Sequence, residues 1–327
     1  MAMEEKAPKR HAATVKTILA VAIANTATSK TISNSTPASL AGVRPYIKGL
    51  IQRLDIRGYE IGPHYVIDYR ETPATGLGAI FPSTLPANPP DAVLCMSKTV
   101  LDKVSGTAAW NSVTIAGIVS EPLNQTNVCG VDGQRQQIGK DYYDKLLAAL
   151  PSLAQSGANR VHVLNVPGYP PSDKSLALIT QGNPPVTVNP VNVVSPTDPN
   201  IVAAINGINQ PGALIVLPVD TFFGSAQTII DTARANPIHL PDFWPVTDWV
   251  RHGNNPTKSA FGGYGVPQVL CGELLADRIA FVWTNGSMPT PKFIKVDTKT
   301  DVVWAVSAAA ATEAGVTPAN TAGLRIL

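Results

Sequence analysis

TILAVAIANTATSKTISNSTPASLAGVRPYIKGLIQRLDIRGYEIGPHYVIDYR, residues 17–70, decides the fold. Thr17–Ala24 is an unbroken apolar run of strand length, rich in β-branched residues and too short to span a membrane, as expected of a parallel strand buried on both faces. A polar patch, Asn25–Pro37, reads as a loop. Leu40, Val43, Ile47, Leu50, Ile51 and Leu54 then recur at helical spacing until Gly58 stops the helix. Beyond Gly62 and Pro63, Tyr65–Tyr69 reads as a second strand. Strand, crossover helix and strand make a right-handed βαβ unit, and such units hold ligands at the carboxyl ends of their strands. That position is the loop from Asn25 to Thr36.

The same grammar continues along the chain. Glu71–Pro90 is dense in Pro and Gly, so any helix there is short. Asp91–Met96 is a third strand, and Ser97-Lys98-Thr99 turns into a helix over Val100–Val104. Ser112–Val119 is a fourth strand ending at Ser120-Glu121-Pro122, Asn127–Asp132 is a short apolar crossing, and Gln136–Ala154 is helical. The pattern then restarts with a strand at Arg160–Val166 that breaks at Pro167-Gly168-Tyr169. Val186–Val194 is the next strand, followed by a helix over Pro199–Ile208. Ala213–Val219 ends at Asp220-Thr221, the helix Gly224–Ala235 follows, and Pro241–Val246 reaches Thr247-Asp248. Two βα arrays whose strands end in small, polar or aromatic residues suit two lobes facing one cleft.

Composition excludes several classes. At 327 residues the chain is long enough for two cores. Charged residues are only 15%, with 25 Gly and 29 Pro, which fits a loop-rich α/β protein and not a coiled coil. A net charge of +2, with no basic run interleaved with aromatics, gives no nucleic-acid groove. Cys95, Cys129 and Cys271 are odd in number and widely spaced, so they read as buried thiols. His11, His64, His162, His239 and His252 form no ligand-spaced pair, and no metal or cofactor is expected. Lys9, Arg10 and Lys16 before an apolar run imitate a secretion signal. The run is short, however, and Glu4 and Glu5 sit in what should be its basic region, so residues 1–13 read as a polar extension with no signal or transmembrane segment. No Ser or Cys has a partnered histidine at an elbow, there is no phosphate-cradling P-loop, and Gly262-Gly263-Tyr264-Gly265 lacks dinucleotide-loop spacing, so no enzyme is expected.

Five segments carry a family resemblance: Gly49-Leu50 through Gly58-Tyr59-Glu60-Ile61-Gly62 to Ile67-Asp68-Tyr69-Arg70; Arg160–Asn165; Leu214–Thr221; Ala260–Val266 with the Gly272–Ala280 helix; and Ala314-Gly315-Val316-Thr317-Pro318. In order and spacing they resemble the ABC-transporter substrate-binding proteins of the type I periplasmic-binding-protein fold, in the branch for aromatic amino acids and related small solutes. The resemblance spans about residues 17–318. It implies two Rossmann-like, doubly wound parallel α/β lobes, 14–131 with 263–290 and 132–262 with 291–327. Three hinge segments would lie near Cys129–Asp132, Phe261–Tyr264 and Phe293–Val296. It further implies non-catalytic binding of an amino acid or small carboxylate in the interlobe cleft, and a membrane permease as partner. The expected location is periplasmic or extracellular if a leader has been removed, and cytoplasmic otherwise. An alternative is a cytoplasmic relative acting as a ligand sensor or homo-oligomeric assembly subunit.

Each candidate contact has a structural alternative. Asn25, Thr26 and Thr28 either touch ligand or cap the helix. Ser97, Lys98 and Thr99 stand at a strand end before a helix, where a carboxylate can be held, or Lys98 is merely solvated. Glu121 matches the family's acidic position and either pairs with a ligand amine or caps. Asn165 and Tyr169 offer an amide and an aromatic wall, or Tyr169 is a rigid surface loop. Asp220 with Thr221, at the tip of an apolar strand, either grips a ligand ammonium or caps the next helix, with Asp248 as a helper. Trp244 and Trp249 read as packing, and Phe222 and Phe223 divide between core and cleft.

Overall fold

The computed structural model describes residues 14–119, 123–132, 139–155, 159–181, 184–250, 259–297 and 300–327. In chain order the elements are β1 (Lys16–Ile23), β2 (Thr28–Ile32), α1 (Pro45–Ile56), β3 (Tyr65–Thr72), α2 (Leu77–Ile80), β4 (Ala92–Cys95), α3 (Lys98–Ser105), β5 (Thr114–Val119) and β6 (Val128–Asp132). They continue as α4 (Gly139–Ala149), α5 (Ser152–Gln155), β7 (Arg160–Asn165), α6 (Pro170–Thr180), β8 (Thr187–Asn192), α7 (Asp198–Asn206), β9 (Gly212–Val216), α8 (Asp220–Gly224), α9 (Ala226–Ala235), β10 (Asp242–Trp244) and β11 (Gly262–Gly265). The last are α10 (Gln268–Asn285), β12 (Phe293–Lys295), β13 (Val303–Val306), α11 (Ala308–Glu313) and β14 (Arg325–Ile326). The chain divides into two compact units, residues 1–133 with 268–296 and residues 134–267 with 297–327.

The first unit is built on a seven-stranded sheet of order β12-β6-β5-β4-β1-β3-β2. β1 lies between β3 and β4, parallel to both, so its apolar run is covered on each face. Chain order reverses between β1 and β4, and the carboxyl ends of those two strands flank the switch point. α1 begins with Pro45 at its first turn, buries Ile47, Leu50, Ile51 and Leu54, and ends in a Schellman motif. There Gly58 adopts φ +86, its N–H bonds Asp55 O at 3.0 Å and the Tyr59 N–H bonds Leu54 O at 2.9 Å.

α10 packs directly on α1 through glycine. A Cβ on Gly49 would lie 1.9 Å from Val269 O, and one on Gly272 would lie 2.0 Å from Tyr46 O, so the helix backbones touch only because both side chains are absent. Asp277 clamps the crossing, accepting from Arg53 Nε at 2.8 Å and Arg57 Nε at 2.7 Å. Burial tends to raise that carboxyl's pKa, but the Arg57 and Arg53 hydrogen bonds outweigh it and hold the carboxyl below its ordinary range. Cys95, Cys129 and Cys271 are buried free thiols, and burial pushes Cys129 up to about 12.

The second unit repeats the plan with order β14-β13-β11-β10-β9-β7-β8. Its switch point lies between β7 and β9, which pair in parallel. The core gathers Phe222, Phe243, Trp244 and Phe261 between the sheet and its helices. β8 is an edge strand, and Pro190, which has no N–H to donate, is tolerated there for that reason.

Several sequence expectations are corrected. The polar patch after β1 is not all loop, because Thr28–Ile32 forms β2, antiparallel to β3 with Thr28 opposite Glu71. Pro151 splits the expected helix through Ala154 into α4 and α5, and the helix expected over Gly224–Ala235 is α9, preceded by a separate short helix, α8, that ends at Gly224. Gly262–Gly265 is neither a hinge nor part of the first unit. β11 pairs with β10 and β13, and the chain leaves the second unit only after Pro267. Residues 291–296 belong to the first unit, where β12 pairs with β6. The polar extension 1–13 lies outside the described residues.

Candidate functional site

In the first unit the switch point is formed by the turn after β1 and the turn after β4. Asn25 is half-buried there, and Thr26 and Thr28 are exposed. Thr28 lies on the edge strand β2, and its hydroxyl reaches Glu71 Oε2 at 3.4 Å. Ser97 is the N-cap of α3: it is 5% exposed and its Oγ accepts the Val100 N–H at 3.2 Å. Lys98 points along its own helix to Asp102, at 2.5 Å. Thr99 is half-buried. Glu121 lies outside the described residues.

Sequence reading missed the group that fixes this end of the sheet. Arg44, 9% exposed, donates through Nε to Glu71 Oε1 at 2.9 Å and through NH2 to Ile23 O at 3.0 Å. Tyr69 Oη donates to the same Glu71 oxygen at 2.8 Å. Burial first, and then the Glu71 carboxylate, raise the Tyr69 phenol well above its ordinary value. The guanidinium thereby ties the end of β1, just before Asn25, to the start of α1. The available signal was a charged residue at a helix start and another at a strand end; nothing local pairs them.

In the second unit Asn165 is 3% exposed and spent on the scaffold: its Nδ2 donates to Asn192 Oδ1 at 2.9 Å and its Oδ1 accepts from Ser172 Oγ at 2.7 Å. Ser172 Oγ also accepts the Val166 N–H at 3.3 Å, so the turn leaving β7 rests on a closed polar platform. Across the switch point Tyr169, on that turn, donates to Asp220 Oδ2 at 3.2 Å. Asp220 occupies the first turn of α8, where a carboxylate complements the helix dipole. The adjacent Thr221 Oγ1 is buried and has no hydrogen-bond partner. Asp248 is half-buried.

Below this layer the aromatic residues are mostly core. Trp244 is fully buried, 6.4 Å from Phe223 and 6.2 Å from Trp249 between ring centroids. Its Nε1 donates to Asp242 Oδ2 at 2.5 Å, and Asp242 Oδ1 accepts the Phe261 N–H at 3.0 Å. Burial pushes the Asp242 carboxyl up to about 6, against the pull of those two donors.

Two hollows lie away from the carboxyl ends. One, of about 350 Å³, is lined by Arg57, Tyr59, Asp277, Arg278 and Phe281. The other, of about 390 Å³, is lined by His162, Asn189 and the chain from Gly207 to Gln210. His162 there is structural: its Nε2–H donates to the Gln210 carbonyl at 3.0 Å, so Nδ1 accepts from Asn189 Nδ2 at 3.0 Å. Burial lowers its pKa, in keeping with a neutral ring. Among the described residues no helix is long and apolar enough to cross a membrane, and no three His, Cys, Asp or Glu side chains gather as metal ligands.

No family model and no curated protein matches the sequence. Solved structures do match. A conserved domain protein from Vibrio cholerae O1 biovar El Tor has TM-score 0.69 and 16% identity, covering 94% of this chain and 97% of its own. An ABC domain in complex with L-Trp from Streptococcus pneumoniae has TM-score 0.64 and 15% identity, covering 95% of this chain and 100% of its own. An ABC transporter solute-binding protein from Agrobacterium vitis, bound with α-D-tagatopyranose, has TM-score 0.53 and 10% identity, covering 86% of this chain and 93% of its own. At such identities the likeness is one of fold. This chain has the two-unit, doubly wound α/β fold of the type I periplasmic binding proteins.

Proposed function

We propose that this chain is the non-catalytic solute-binding component of an ABC transporter. In this reading its solute is an amino acid or a related small carboxylate, taken up where the strand-end turns of the two units present polar side chains, and a membrane permease is its partner. The observation that carries the reading is the Asp220 carboxylate at the second unit's switch point, flanked by Tyr169 and the unpaired Thr221 hydroxyl. An anion at that position suits a ligand ammonium, to which a charged hydrogen bond is worth about 1.5–3 kcal/mol. Two structural relatives add support, one bound to L-Trp and one to a sugar.

The test is a thermal-shift screen of amino acids, small carboxylates and D-tagatose, followed by calorimetry on Asp220→Ala. A true solute at about 100 times its Kd adds about 2.7 kcal/mol of stability. Asp220→Ala is expected to weaken that solute by about 1.5 kcal/mol or more, roughly tenfold, with the melting temperature little changed. Unaltered affinity in the variant rejects the role given to Asp220. If no solute moves the melting curve and light scattering reports a large homo-assembly, the assembly-subunit alternative replaces the transport reading.

A further inference from the structure

The two turns at the second unit's switch point are built to very different tolerances. The platform under the β7 turn is closed by short bonds, with Ser172 to Asn165 at 2.7 Å and Asn165 to Asn192 at 2.9 Å, and both side-chain polar atoms of Asn165 have a partner. The Gly168 N–H is likewise fixed on Asp173 Oδ2 at 2.9 Å. The bond from Tyr169 to Asp220 at the tip is 3.2 Å. A hydroxyl donating to a carboxylate ordinarily sits at about 2.5–2.7 Å, and Tyr69 on Glu71 in the first unit reaches 2.8 Å. The turn is rigid while the contact it delivers is slack. Beside it Thr221 Oγ1 is buried with no hydrogen-bond partner, a destabilising arrangement unless something supplies one.

We infer that the Tyr169 hydroxyl is a place-holder for the solute's own donor: it bonds Asp220 until a ligand ammonium displaces it, bonding Asp220 and Thr221 Oγ1 together. This rests on the reading of Asp220 as a solute contact. An ammonium brings a full charge and three donors, whereas the phenol brings one neutral donor at a long distance, so the exchange runs toward ligand. A solute lacking a cationic donor cannot make that exchange: it leaves the phenol on Asp220 and gains no charge pairing. Tyr169 therefore competes with amine-bearing solutes alone, and the preference for them over their deaminated counterparts comes from Asp220.

The experiment is calorimetry on the full chain with each of the twenty standard L-amino acids. The tightest binder and its deaminated carboxylate are then titrated into Tyr169→Phe and Asp220→Asn. Tyr169→Phe keeps the ring and removes the competing donor, so it is expected to bind the amino acid about three- to tenfold more tightly, the fold-change of one weak hydrogen bond. Its preference over the deaminated analogue should widen, because only the amino acid competes with the phenol for Asp220. Asp220→Asn should bind at least about tenfold more weakly. A second readout uses the unaltered protein. The Tyr169 Cζ carbon resonance, assigned by its shift in Asp220→Asn, should move on adding the amino acid as the phenol leaves the carboxylate.

Unchanged or weaker binding by Tyr169→Phe, or a Cζ resonance that stays put, overturns the place-holder while leaving Asp220 as a contact. If no amino acid binds the unaltered chain, the reading of Asp220 as an ammonium contact falls and this inference falls with it.

Discussion

Asp242 illustrates how a buried charge is kept and what it costs. Its carboxylate has two donors, yet burial still raises its pKa to about 6, above the unfolded value of about 4. The folded state thus binds this proton more readily than the unfolded chain. The resulting stability is fully present below about pH 4 and is lost as pH rises through about 6. Asp242→Asn has no such titration, so the unfolding free energy of the natural chain minus that of the variant should fall by about 2 kcal/mol from pH 4 to pH 7. Urea melts at several pH values measure it, and a difference flat with pH would refute the assignment. At this scale the sequence tells residue types well and partners poorly. Ser97 as the cap of α3 is a local relation over three positions. Asn165 with Asn192, Tyr169 with Asp220, and Arg44 with Glu71 are separated by 27, 51 and 27 positions, and no local pattern joins them.

Among the elements, the crossing of α1 and α10 is the strictest fit. Gly→Ala in a helix interior ordinarily gains about 1 kcal/mol of helix propensity. At Gly49 the new Cβ would lie 1.9 Å from Val269 O, an overlap with backbone that no rotamer relieves. Overpacking of this kind costs about 1–3 kcal/mol, so Gly49→Ala should lower the melting temperature. Gly78→Ala in α2, where a Cβ meets nothing within 4 Å, should leave it unchanged or raise it. Equal shifts from the two variants would show that the helices are not in contact there. α1 was readable from its apolar spacing and its stop at Gly58. β2 was not, because Thr-Ser-Lys-Thr-Ile is short, mostly exposed and anchored only by pairing with β3. α9 was placed by its apolar period, and α8 was not read because its five residues follow directly on the apolar run Ala213–Val219.

For the molecule as a whole, the decisive property is the repeated strand order, which puts a switch point in each unit and polar turns at both. The repetition was visible in the sequence as two successive βα arrays, since parallel buried strands read as apolar runs wherever they occur. The unit boundaries were less legible: β11 is four residues of Gly and Tyr, and its place is set by flanking strands rather than by its own composition. The central claim is that solute is held at the carboxyl ends of the strands, and hydrogen exchange with and without the best-binding amino acid tests it most directly. The expected result is slowed exchange at the turns around Asn25 and Ser97 in the first unit and around Tyr169 and Thr221 in the second. Slowing confined to the hollows beside Arg57 or His162, with those four turns unaffected, would contradict it.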